Sequence, residues 1–84
     1  MSRDGGDHAA ALDLRGLKCP LPALRTRKAL AHAAPGTVLT VTCTDPLAAI
    51  DIPHLVYETG HALEASTGDG RVLTFVIRVR QAGG

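Results

Sequence analysis

Tryptophan is absent from this chain of 84 residues, and phenylalanine and tyrosine occur once each. The core therefore has to be aliphatic, and a nucleic-acid module that stacks bases on aromatic rings is poorly supported. Cysteine occurs only twice, with a β-like segment between the pair. No disulfide framework is recognisable, and the usage fits a reducing compartment, the cytoplasm. Charge of one sign is lacking too: nine Lys and Arg stand against eight Asp and Glu, for a formal net charge of +1. A strongly basic nucleic-acid binder would look different, so direct nucleic-acid binding is disfavoured. No apolar run approaches the ~20 residues that cross a bilayer, and residues 1–8 carry no apolar segment of a secretory signal, so no membrane association is expected.

The length allows one domain with one modest core. That domain is expected over residues 11–80, between a disordered tail at 1–10 and a frayed tail at 81–84. In other folds a terminal Gly-Gly carries sulfur as a thiocarboxylate, and this chain ends in Gly83-Gly84. Short glycine tails are common, and the signal is weak.

One absence is local. From Leu14 to Thr44 there is no Asp or Glu, while Arg15, Lys18, Arg25, Arg27 and Lys28 all fall inside. Within that stretch lies Arg15-Gly16-Leu17-Lys18-Cys19-Pro20-Leu21-Pro22, a thiol at a strand-to-helix turn. Pro20 and Pro22 are tolerated in the first turn of a helix, where their missing N–H groups have no intrahelical use. Cys19 then reads as the N-cap, facing unpaired N–H groups and the positive end of the helix dipole. Both favour thiolate over thiol, as do the cationic neighbours, so a lowered thiol pKa and a nucleophilic role are expected.

Hydrophobic patterning predicts a first strand at 11–14, with Leu12 and Leu14 on one face, and a helix at 20–33 whose buried stripe is Leu21, Leu24, Leu30 and Ala31. Pro35-Gly36 ends that helix. The alternating segment 37–43 predicts a second strand with Leu39, Val41 and Cys43 inward, which makes Cys43 a small core residue rather than a resolving thiol. Pro53 argues against one long second helix. A short turn over 46–50 is expected instead, followed by a helix N-capped by Asp51 and running to Thr59. Strands at 62–67 and 71–80 flank Gly68-Asp69-Gly70, a hairpin signal. The order β-α-β-α-β-β, with a right-handed first crossover between parallel strands, makes a two-layer α/β domain.

The ordered set Leu12-Asp13-Leu14-Arg15-Gly16-Leu17-Lys18-Cys19-Pro20-Leu21-Pro22, Arg27-Lys28, Pro35-Gly36, Asp45-Pro46, Asp51-Ile52-Pro53 and Gly60-His61-Ala62-Leu63 resembles the TusA/SirA-like sulfur-carrier family over nearly the whole domain. The resemblance implies a two-layer sandwich with both helices on one face of a mixed four-stranded sheet. It also implies the chemistry, in which the cysteine of Cys-Pro-x-Pro, here Cys19, carries sulfane sulfur as a persulfide. The donor would be a cysteine desulfurase or a rhodanese, and the recipient an acceptor thiol in tRNA thiolation, molybdenum-cofactor maturation or sulfur oxidation. On this reading Arg15, Gly16, Pro20 and Pro22 shape the turn. Lys18, Arg27 and Lys28 dock an acidic partner, and Asp45, Pro46 and Asp51 belong to the structural motif. No cofactor or metal is called for. Two departures stand out: some members have an acidic residue where this chain has Leu21, and Cys43 lies outside the family pattern. The competing reading is a regulatory or scaffold module that binds a partner without moving sulfur.

Overall fold

A computed structural model describes residues 9–80. Residues 1–8 and 81–84, and with them most of the two expected tails and the terminal glycines, lie outside the described residues. The chain runs β1 (Ala9–Leu14), α1 (Leu21–His32), β2 (Val38–Cys43), α2 (Ala48–Thr59), β3 (Ala62–Asp69) and β4 (Val72–Arg78). One mixed sheet has the order β1-β2-β4-β3, with β1 parallel to β2 and the other pairs antiparallel. The β-α-β-α-β-β order and the mixed four-stranded sheet are as expected. β1 starts earlier than expected, because Ala9 and Ala10 pair with Val38 and Leu39.

Alternation along the strands divides the sheet into two faces. Leu14, Leu39, Val41, Cys43, Phe75, Ile77 and Val79 form one buried cluster with Leu30 of α1 and with Ala48, Ile52, Leu55 and Val56 of α2. Both helices thus share one face. The opposite face carries half-buried Val38, Thr40, Thr42, Thr74 and Val76. β3 is an exposed edge, and a register shift between Leu63 and Ala65 leaves Glu64 as an extra residue. Such a bulge interrupts the ladder that an open edge would otherwise present.

Four local expectations need correction. α1 is capped by Pro20, with Pro22 in its first turn, so Cys19 stands one residue outside the cap. Its buried face is Pro22, Thr26 and Leu30, a strict i, i+4 row, while Leu21 and Leu24 are 41% and 54% exposed and Ala31 is exposed. α2 begins at Ala48 with Leu47 as its cap and contains Pro53. Pro53 is the sixth of its twelve residues, and the carbonyl of Ala49 loses its intrahelical partner there. Asp51 is accordingly a first-turn residue and not the cap. The hairpin turn is Gly70-Arg71, closed by the pair Asp69↔Val72. Gly70 has φ +64° and Arg71 a negative φ, the combination a type II′ turn requires.

Candidate functional site

The last pair of the parallel ladder is Leu14↔Cys43, so the loops leaving β1 and β2 emerge side by side. Two hydrogen bonds knit them, and a third braces the second loop. Gly16, at φ +88°, donates its N–H to Thr44 Oγ1 at 2.8 Å. The N–H of Cys19 donates to Asp45 Oδ2, and that of Leu47 donates to Asp45 Oδ1 at 3.0 Å. Asp45 therefore closes an Asx turn into α2 and holds the Cys19 backbone with its other oxygen.

Cys19 is exposed, whereas Cys43 is buried. The Cys19 thiol stands at the head of a groove of about 320 Å³ between α1 and α2, whose walls include Pro20, Ala23, Leu24 and Leu55. Asp51, His54 and Glu58 line it from one face of α2, and Arg27 from α1. Arg27 Nη2 meets Glu58 Oε1 at 3.4 Å across the groove, and His54 Nε2 meets Glu58 Oε2 at 3.3 Å. The Cys19 Sγ–H donates to Asp51 Oδ2 at 3.3 Å.

That last contact overturns the expected thiol electrostatics. The Cys19 pKa is raised above that of a free thiol, first by the hydrogen bond to Asp51, then by desolvation and by the charges of Asp51 and Asp45. The stretch around Cys19 is acid-free in sequence only, because folding sets two carboxylates from the β2–α2 region against the thiol. α1 also offers fewer free donors than a helix start usually does. Pro20 and Pro22 have none, Leu21 N–H is bonded to Lys18 O at 2.8 Å, and Leu24 N–H to Pro20 O at 3.1 Å. Cys43, expected in the core, is 0% exposed, and desolvation first, then the Asp45 charge, raises its pKa.

The expected site residues separate in space. Arg15 is held in a bidentate pair by Asp13, with Nε–Oδ1 and Nη2–Oδ2 both at 2.9 Å, which lowers the Asp13 pKa to about 2. Lys18 lines a different cleft with Gly16, Thr44, Asp45 and Pro46, and its charge helps hold the Asp45 carboxyl below the ordinary range, after the two backbone hydrogen bonds. Arg27 reaches the Cys19 groove, while Lys28 is exposed and lines neither space. Sequence reasoning missed the pairing of Asp51 with the thiol and the roles of His54 and Glu58. Their spacing, Asp51, His54, Leu55 and Glu58, is that of one helix face once α2 is read as continuous. No group of three or more His, Cys, Asp or Glu side chains placed to hold a metal occurs among the described residues, and no helix there is long and apolar enough to cross a membrane.

Comparison with known proteins agrees with this architecture. The family model for sulfurtransferase TusA matches residues 10–79. The sulfur carrier protein TusA of Allochromatium vinosum is 39% identical over 72 residues, spanning 86% of this chain and 95% of its own length. A candidate sulfur carrier of Neisseria meningitidis serogroup A is 49% identical over 72 residues, spanning 84% of this chain and 96% of its own. The crystal structure of the SirA-like protein of Desulfitobacterium hafniense superposes with a TM-score of 0.74 at 24% identity, covering 86% of this chain and 99% of that one. The fold and the span of these matches lead to one assignment: this chain belongs to the TusA family of sulfur carrier proteins.

Proposed function

We propose that Cys19 carries the sulfur, accepting it as a persulfide from a cysteine desulfurase or a rhodanese and passing it to an acceptor thiol. The observation that carries this reading is the contrast between the two cysteines: Cys19 is exposed at the head of a groove, and Cys43 is 0% exposed. Transfer requires two sulfurs to meet, and only Cys19 is within a partner's reach. In loading, Cys19 Sγ attacks the outer sulfur of the donor persulfide. The new Sγ–S bond forms as the donor S–S bond breaks, and the donor sulfur leaves with the bonding electron pair and takes up a proton. Release is the same exchange toward the acceptor, so the protein acts as a sulfurtransferase by being loaded and unloaded, without a cofactor. A persulfide relayed between thiols belongs in a reducing compartment, which points to the cytoplasm. The acceptor thiol feeds tRNA thiolation, molybdenum-cofactor maturation or sulfur oxidation, and pairing the loaded protein with acceptors of each route separates them.

The test is intact mass after incubation with a cysteine desulfurase and cysteine. One added sulfur atom on the wild type and on Cys43→Ala, and none on Cys19→Ser, is the expected result. No adduct on the wild type, or an adduct that survives in Cys19→Ser, overturns the reading and favours a binding module that moves no sulfur.

A further inference from the structure

Asp51 faces the sulfur and does little else. It is not the cap of α2, which is Leu47, and the turn into α2 is already held by Asp45. Its one side-chain hydrogen bond among the described residues is the 3.3 Å contact between Oδ2 and Cys19 Sγ. Resting on the reading of Cys19 as the sulfur-bearing residue, we propose that Asp51 is a catalytic residue that carries the proton exchanged at Cys19 during sulfur transfer and keeps the outer sulfur of the loaded persulfide in its neutral S–H form.

The step balances without an external oxidant or reductant. As Sγ attacks the outer sulfur of the donor persulfide, its proton passes to Asp51 Oδ2. The electron pair of the broken donor S–S bond stays on the departing donor sulfur, and Asp51 returns the proton to it. The donor ends as a thiol and Cys19 as a persulfide, and the transferred sulfur keeps its oxidation state throughout. Release runs in the opposite sense, with the proton of the acceptor thiol passing through Asp51 to Sγ. Between the two steps the outer sulfur lies beside a carboxylate, where an anionic S⁻ is disfavoured by like charge. The neutral outer sulfur is the one an acceptor thiol can attack as it gives up its proton, because an anionic one repels the incoming nucleophile.

The surrounding charges leave this role to Asp51. Asp45, from the β2–α2 loop, has its two oxygens occupied by the N–H groups of Cys19 and Leu47. Lys18, from the Cys19 loop, lies on the side of Asp45. From α2, His54 is turned to Glu58, and from α1, Arg27 is turned to the same carboxylate. A carboxylate in contact with a thiol is a poor way to make a resting thiolate, yet a direct way to move its proton at the moment of attack.

Asp51→Asn tests this through two readouts that should move in opposite directions. Alkylation of unloaded Cys19 by iodoacetamide across pH should shift its midpoint to lower pH, so that the variant reacts faster than wild type near neutrality. Single-turnover transfer from the loaded protein to an acceptor thiol should fall by about tenfold or more. Asp51→Glu, which restores a carboxylate, should recover part of the transfer rate. A purely structural role would slow or spare both reactions together, and either result overturns the proposal. If Asp51→Asn does not fold, Asp51→Ala is assayed with added formate. Transfer restored by formate supports the proton role, and transfer indifferent to it rejects that role. Absence of loading in the wild type overturns the carrier reading and this proposal together, whereas equal transfer by loaded wild type and Asp51→Asn overturns the role of Asp51 alone.

Discussion

The backbone N–H of Cys19 donates to Oδ2 of Asp45, 26 positions later in the chain, while Oδ1 of the same carboxylate takes the N–H of Leu47 at 3.0 Å. One side chain thereby fixes both the loop that presents the thiol and the entry into α2. Asp45→Ala should leave the sheet intact and free these two amides, raising the hydrogen-exchange rate of the Cys19 and Leu47 N–H groups by about tenfold relative to wild type.

The same contact has a pH dependence of defined sign. The Asp45 pKa is lowered from 3.8, first by the Cys19 and then by the Leu47 hydrogen bond. A lowered carboxylate contributes fully above its unfolded pKa of ~3.9 and loses the contribution as pH falls through the lower folded value. The Asp45 carboxyl resonance should therefore titrate below that of an unperturbed aspartate, and the Cys19 amide shift should follow the same curve. A titration at the unperturbed value would break the link between the two residues.

Cys43 packs against the core with 0% exposure. Cys43→Ala removes one buried sulfur and should cost about 1 kcal/mol of stability, read as a lower urea midpoint at unchanged slope. Sulfur loading of the folded variant should equal that of wild type. Loss of loading there would make Cys43 a participant in the exchange.

What the sequence made legible divides along the range of the interactions involved. The position of Cys19 ahead of a proline-started helix, the element order and the inward face of β2 all depend on neighbours within a few residues, where period and turn chemistry act. The rotation of α1 was not legible, because its apolar residues spread around the helix. The sheet selects the Pro22, Thr26, Leu30 row, leaving Leu21 and Leu24 outside and Thr26 Oγ1 buried without a hydrogen-bond partner. The electrostatics of Cys19 were not legible either. Asp45 and Asp51 are 26 and 32 positions away, and only the parallel pairing of β1 with β2 and the packing of α1 on α2 bring them to the thiol. Reading Asp51 as the cap of α2 kept it off the helix face on which His54 and Glu58 line up.

His61 follows α2, and its Nδ1 accepts the backbone N–H of Arg80 at 3.0 Å. Desolvation lowers its pKa below 6.5, since burial disfavours the imidazolium, and protonation of Nδ1 would also remove the acceptor. A group of this sign contributes stability above its unfolded pKa of ~6.5 and loses it as pH falls through the folded value. The urea midpoint of wild type should drop between pH 7.5 and pH 5 by more than that of His61→Gln, which keeps an acceptor and does not titrate. Parallel losses in the two proteins would assign the acid sensitivity to other groups.

Arg27 was expected to dock an acidic rim on the sulfur donor, and it also pairs with Glu58 at 3.4 Å across the Cys19 groove. The two roles make different demands. Both side chains are more than 45% exposed, so the pair itself should contribute well under 1 kcal/mol to stability, and Arg27→Glu should change the urea midpoint little. A docking charge acts on encounter, so Arg27→Glu should slow loading from a desulfurase more at low than at high ionic strength, while iodoacetamide still alkylates Cys19 at nearly the wild-type rate. The exchange Arg27→Glu with Glu58→Arg rebuilds an ion pair across the groove with its polarity reversed. If the partner reads Arg27, loading by the double variant stays slow at low salt. If Arg27 serves only to close the groove against Glu58, the double variant loads at the wild-type rate, and the docking role is removed.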